Sequence, residues 1–132
     1  MEMKYQYGDI TKSIIGAFYD VVNNPKTKGL SIIFLKKAFV IELRKRGHKI
    51  RTDVRVTHRY DNKTLGDERI DVLADRKVAL SIKKLKKIRS LDKDQLGALM
   101  ESGHHAVGLV FNFNPDNPKF ERVSRPQFSP KK

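Results

Sequence analysis

Cysteine is absent from this 132-residue chain, so neither a disulfide framework nor a thiolate metal site can form. Tryptophan is absent too, and no segment reads as a helix that pairs a basic face with exposed Trp or Phe, as interfacial membrane anchors do. Apolar runs are short and broken by Lys or Arg; none approaches the roughly 20 residues that a membrane span needs. Met1-Glu2-Met3-Lys4-Tyr5 has no apolar stretch behind it, so no export signal is expected and a soluble, intracellular protein is. Gly8, Gly16 and Gly29 never cluster into a phosphate-cradling loop, and no serine sits in a G-x-S-x-G elbow, which argues against nucleophilic hydrolysis. His104-His105 has no partner at i+4 and no nearby Cys, so it reads as surface leading into a strand, and His48 and His58 read as isolated.

Acid is the other scarcity. Fifteen Asp plus Glu stand against 28 Lys plus Arg, a net charge of +13. An excess of that size favours a polyanionic partner, and with no membrane anchor in view nucleic acid is the better candidate. Few aromatics lie in the basic segments, so a platform that stacks single-stranded bases is disfavoured.

The length suits one domain, and the patterning predicts helix, helix, three strands, helix, two strands. Ile10, Ile14, Phe18, Val21 and Val22 recur at helical spacing, with Asp9 as the expected cap and Asn23-Asn24-Pro25 as the stop. Ser31 is the expected cap of a second helix ending at Gly47. That helix is apolar nearly all round, which predicts that it buries more than one face, against its own domain or a second copy. A strand over about 49–60 places Ile50, Val54, Val56 and Tyr60 on one side and Lys49, Arg51, Arg55 and Arg59 on the other, the cations about 7–14 Å apart. Turns are expected at Asp61-Asn62-Lys63 and Asp75-Arg76, a third helix from Ser90 with its stop at Gly103, an internal strand over 106–113, and a short strand near Phe120–Val123. Residues 1–123 thus read as a single domain and 124–132 as a basic, flexible tail.

The densest chemistry lies where Ile70-Asp71-Val72-Leu73 meets Lys77-Val78-Ala79-Leu80-Ser81-Ile82-Lys83 across the Asp75-Arg76 turn. Val78, Leu80 and Ile82 share one face, and Ala79, Ser81 and Lys83 the other. An Asp on one strand facing acid-x-Lys on the next is how many metal-dependent nucleases hold Mg²⁺; here the acid of acid-x-Lys is Ser81. Lys83-Lys84-Leu85-Lys86-Lys87-Ile88-Arg89 follows at once, with five cations in seven residues.

These residues and their surroundings resemble the GxxExxY family of the PD-(D/E)XK nuclease superfamily. Ile14-Ile15-Gly16-Ala17 with Tyr19-Asp20-Val21 is similar to its first helix, Gly29 to the start of its signature, and Ala38-Phe39-Val40-Ile41-Glu42-Leu43-Arg44-Lys45-Arg46-Gly47 to its second helix. Arg69-Ile70-Asp71-Val72-Leu73 resembles its Asp strand, Gln95-Leu96 its third helix and Val107–Phe113 its last core strand. The resemblance implies an α/β fold with a restriction-endonuclease-like core, a central mixed sheet of four to five strands flanked by about three helices. It also implies a homodimer, and related proteins occur in prokaryotes and in large DNA viruses.

The departures from that family are informative. Its signature glutamate falls on Ile32, its tyrosine on Leu35 and its second glutamate on Ser81, so two of three expected carboxylates are missing. Mg²⁺ dehydrates reluctantly and is usually held by one or two carboxylates together with substrate phosphates, so Asp71 alone is expected to pair with Lys83 and bind no metal. Asp71, Ser81, Lys83, Ile32 and Gln95 are then vestigial positions, with no catalytic residue, no metal and no cofactor. The expected activity is sequence-independent binding of nucleic acid, double-stranded DNA first. Lys83, Lys84, Lys86, Lys87 and Arg89 would contact phosphates, and Arg51, Arg55 and Arg59 would extend the footprint. Two alternatives stay open. One is a Mg²⁺-dependent nuclease using Asp71 with Glu42, Asp67, Glu68 or a partner chain's acid; the other is a module for an acidic protein.

Overall fold

The computed structural model describes residues 7–125. Helices α1 (Gly8–Val22) and α2 (Ile32–Lys45) precede strands β1 (Ile50–Tyr60), β2 (Lys63–Ala74) and β3 (Val78–Lys83); helix α3 (Ser90–Gly103) and strands β4 (Val107–Asn112) and β5 (Lys119–Ser124) complete the order. The strands form one mixed sheet in chain order, antiparallel except where β3 and β4 run parallel. That parallel pair requires a crossover, and α3 supplies it. The alternation expected for β3 holds. Val78, Leu80 and Ile82 join the larger core under α1 and α2, and Ala79 joins the smaller core under α3.

The larger core centres on Phe18, Phe39, Phe111 and Phe113, with Phe18 ring centroids 4.7 Å from Phe111 and 4.8 Å from Phe113. Under α3 the sheet is approached more closely. A Cβ on Gly108 would stand 2.6 Å from Met100 Sδ and 2.9 Å from Leu96 Cδ2, so glycine there lets helix and strand touch.

Several local expectations are corrected. Asp9 does not cap α1: Tyr7, at φ 59°, is the cap residue, and Asp9 lies in the first turn where a negative charge suits the helix dipole. Ser31 is the cap residue of α2 through its backbone, its carbonyl accepting Leu35 N–H at 2.9 Å, without a side-chain bond. Arg89, not Ser90, is the cap residue of α3: the Asp92 carboxylate accepts the Arg89 backbone N–H at 2.8 Å and its guanidinium, while Asp92 N–H donates to the Arg89 carbonyl at 3.0 Å. α2 buries Leu35, Phe39, Val40 and Leu43 but leaves Ile33 64%, Phe34 55% and Ile41 60% exposed. A helix in an outer layer has one side on the core and the other in water, so the expectation that more than one face is buried fails within the single chain. Ser124 belongs to β5, while Arg125 is buried, hydrogen-bonded to Gly97 O at 3.1 Å and paired with Glu101. The first two residues assigned to the tail are therefore part of the fold, and the rest of that segment lies outside the described residues.

β1 and β2 form a long hairpin whose outer part leaves the body. Its turn is made by Asp61 and Asn62, both at positive φ, as a two-residue type I′ turn requires. Residues 59–69 are exposed, Tyr60 (74%) and Leu65 (68%) at the tip among them.

Candidate functional site

Asp71 sits where β2 and β3 part company. Their pairing ends at Val72↔Leu80, and the Asp71 carboxylate accepts the N–H of Ile82, the next residue but one along β3, at 2.9 Å. The expected Asp71–Lys83 ion pair is not formed. A ladder donor left open by the diverging strand lies nearer the carboxylate than the lysine head group does, and a buried N–H is costly to leave unmade. Lys83 is half-buried, and its charge instead helps hold down the pKa of Asp92 on α3. The main cause of that lowering is the hydrogen bond from Arg89, which outweighs the burial of Asp92.

The helix side of this site is also changed. Ile32, at the start of α2, packs half-buried on the larger core. One turn on, Lys36 Nζ donates to Asp53 Oδ1 at 2.7 Å. Asp53, which the sequence reading passed over, lies between the pairs Thr52↔Val72 and Val54↔Ile70 and so stands across from Asp71. The two facing carboxylates on β1 and β2 are thus already committed, Asp71 to a backbone N–H and Asp53 to a lysine, while Ser81 offers a buried neutral hydroxyl. Such a donor set does not fit Mg²⁺. Among the described residues no group of three or more His, Cys, Asp or Glu is placed to hold a metal ion. The acids considered as substitutes are engaged elsewhere: Glu42 with Lys45, Asp67 with Thr57 and Arg55, Glu68 with His58. Gln95 is exposed on α3.

The basic run after β3 is a rigid loop stapled by asparagines. Asn112, fully buried, accepts Leu85 N–H at 2.8 Å and donates to Leu85 O at 2.9 Å; Asn114 donates to the same carbonyl and Asn117 to Lys86 O. This order presents Lys86 and Lys87 to solvent, exposed and, among the described residues, without an acidic partner. The other cations are partly consumed. Lys84 donates to Leu30 O at 3.1 Å, and Arg89 grips Asp92 with Nε at 3.0 Å and Nη2 at 2.7 Å, a pairing that raises the guanidinium pKa. Arg89 is therefore a helix cap, its guanidinium already paired with Asp92.

Arg51, Arg55 and Arg59 line a cleft of about 640 Å³ along the free edge of β1, opposite Ser102–His105 at the end of α3 and Arg76 in the β2–β3 turn. Val54 and Val56 line it too, so the expected separation of cations from apolar residues along this strand is incomplete. Asp53, at φ 53°, and a register shift at His58/Arg59 interrupt the strand's alternation.

The two histidines read as isolated are not. His48 Nε2 meets Ser13 Oγ at 2.8 Å and its Nδ1 meets Asp75 Oδ2 at 2.7 Å, while Asp75 Oδ1 accepts Lys49 N–H at 2.8 Å. His58 joins Ser102 (2.6 Å) to Glu68 (2.7 Å). Burial pushes the Asp75 carboxyl up, but the His48 hydrogen bond and Lys49 N–H win and hold it below the ordinary carboxylate value. Both sets have the order Ser–His–acid, yet neither serine has an oxyanion hole. Ser13 lies beyond the four open N–H groups of α1, and Ser102 near the end of α3, where the open backbone groups are carbonyls. They are clasps between helix and hairpin. His104 ends α3 at φ 64°, and His105 is half-buried, its pKa lowered by burial and by His104 beside it.

Among the described residues no helix is long and apolar enough to cross a membrane. Comparison with curated proteins and with solved structures gave no match. Residues 8–123 match the family model of the PD-(D/E)XK nuclease superfamily, a span that runs from the first residue of α1 to the penultimate residue of β5. The chain belongs to the PD-(D/E)XK nuclease superfamily.

Proposed function

We propose that this chain is a degenerate member of the GxxExxY branch, a pseudo-nuclease that binds the nucleic-acid backbone, double-stranded DNA first, without cleaving it. The observation that carries this reading is the fate of the carboxylates: Asp71 is spent on Ile82 N–H, Asp53 on Lys36, and Ser81 stands where a second metal ligand would be. Among the described residues metal-assisted water activation has no group of three or more ligands to rest on. The net charge of +13 and the stapled Lys86–Lys87 loop supply the affinity, through phosphates and without base readout. Pairing of two copies is part of the reading, and the exposed Ile33, Phe34 and Ile41 on α2 are the apolar surface on hand for it. In the cell the protein would sit with DNA.

Salt titration of binding to duplexes of unrelated sequence tests this. Affinity should fall steeply with salt, with a log–log slope of roughly −0.9 per neutralised phosphate, and equally for each sequence. A flat salt response, or sharp preference for one sequence, would contradict it.

A further inference from the structure

We infer that the cleft along the free edge of β1 is a second, independent binding site for a phosphodiester strand, with Arg51 and Arg76 as its principal ligands. The inference rests on the nucleic-acid reading above and adds a contact at the opposite end of β3 from the Lys83–Arg89 loop. Four arginines from two separate elements line this cleft, and among the described residues the one carboxylate paired with any of them is Asp67, 3.7 Å from Arg55. Arg59 is tied to Thr64 Oγ1 at 3.0 Å. Arg51 and Arg76 make no ion pair or hydrogen bond within the described residues. Like charges gathered without counter-charge repel, and an anion in the cleft relieves that repulsion.

Arg76 is also held for the purpose. It sits at φ 60° in a turn whose preceding residue, Asp75, is pinned by His48, by Lys49 N–H and, through its own N–H, by Lys49 O at 2.8 Å. A non-glycine residue in the left-handed region is uncommon, and here the surrounding bonds fix it. β1 pairs with β2 alone, so alternate backbone N–H groups on its outer side have no strand partner. The ligand chemistry is that of a chain of phosphates: the arginines follow β1 outward from the body toward Tyr60 at the hairpin tip, a linear array that outreaches any single phosphate.

The test is fluorescence anisotropy with a labelled 20-base-pair duplex and the matching single strand, in parallel with inorganic phosphate followed by ¹H–¹⁵N shifts. Four proteins are compared: wild type, Arg51→Gln/Arg76→Gln, Lys86→Gln/Lys87→Gln, and Lys12→Gln/Lys37→Gln, which removes the same charge from the exposed α1 and α2 surface. Thermal unfolding confirms that each is folded. The arginine pair should lose at least tenfold in affinity and about 2 units of salt slope, well beyond the Lys12/Lys37 control, and wild type should show shifts at Arg51 and Arg76 on oligonucleotide addition. Equal losses for the arginine pair and the Lys12/Lys37 control would reduce the effect to bulk charge and overturn the inference. Loss in the Lys86/Lys87 variant alone would overturn it while leaving the nucleic-acid reading standing; saturation of the cleft by inorganic phosphate with no oligonucleotide affinity would replace the strand by a small anion and overturn it too. A wild type that binds neither oligonucleotide would fail the nucleic-acid reading itself.

Discussion

The two ends of β3 are both rich in cations, but they use them differently. At the Lys83 end the charge is turned inward: Lys84 holds a carbonyl of the loop before α2, Arg89 caps α3 through a fully buried Asp92, and Lys36 neutralises Asp53 across from Asp71. At the Asp75 end the acids and histidines satisfy one another, and Arg51 and Arg76 are left to solvent. Charge counted along the sequence is therefore a poor guide to charge available for a ligand. The end that carries Asp71, Ser81 and Lys83 is the better satisfied of the two.

Breaking each end should expose that difference, and the largest effect is expected on stability at the Lys83 end. Asp92→Ala removes three hydrogen bonds from Arg89, the cap of α3, and should cost about 1.5–3 kcal/mol, read from the urea midpoint at constant m-value. Asp75→Ala, at the other end, frees a partly exposed clasp and should cost about 1–2 kcal/mol. It should also loosen the turn that holds Arg76 and weaken oligonucleotide binding, whereas Asp92→Ala leaves binding intact wherever the protein remains folded.

Next in size is the response to acid. His105 titrates below its ordinary value of 6.5 because burial, reinforced by His104, disfavours the charged ring. The unfolded chain then takes up that proton more readily, so the stability linked to His105 is complete above pH 6.5 and drains away as the pH falls through the lower folded value. Asp75 and Asp92 are depressed below 3.8 in the fold; their contribution is complete above the unfolded value and is lost as the pH drops beneath it. Urea midpoints should accordingly decline in two stages on acidification. His105→Asn should remove the first stage and Asp92→Asn should shrink the second.

Much of this architecture was legible. Period-two alternation fixed the facing of β3, the unbroken apolar run marked β4 as internal, and Asp61-Asn62 and Asp75-Arg76 announced turns that both prove to need positive φ. What escaped the sequence was long-range polar pairing. His48 finds Ser13 from 35 residues away and Asp75 from 27, and no local pattern reports such a match. Asn112 is different. An amide in the middle of an apolar strand run, followed by Asn114 and Asn117, was a signal that something nearby needed its backbone satisfied, and it found Leu85. Arg89 was misjudged because propensity favours Ser at a helix cap, whereas a buried Asp three residues on selected the arginine.

A smaller effect sharpens the picture of the loop. Changing Lys83, Lys84, Lys86 and Lys87 to Gln should flatten the salt slope by about 2 units instead of 4, because Lys84 and Lys83 are already engaged or half-buried. Smallest of all is the response to metal. Wild type should show no rise in Tm with Mg²⁺ or Mn²⁺, since a ligand that bound the native state would raise it by mass action, and Ser81→Glu should gain at most a slight rise, with Lys36 and Ile32 still closing the helix side.

The central claim, that a nuclease scaffold here binds without cutting, is tested most directly by incubating supercoiled duplex DNA with wild type and Asp71→Ala in Mg²⁺ and in Mn²⁺. Both proteins should retard the DNA equally and leave it unnicked. Reproducible metal-dependent nicking by wild type that Asp71→Ala abolishes would contradict the account.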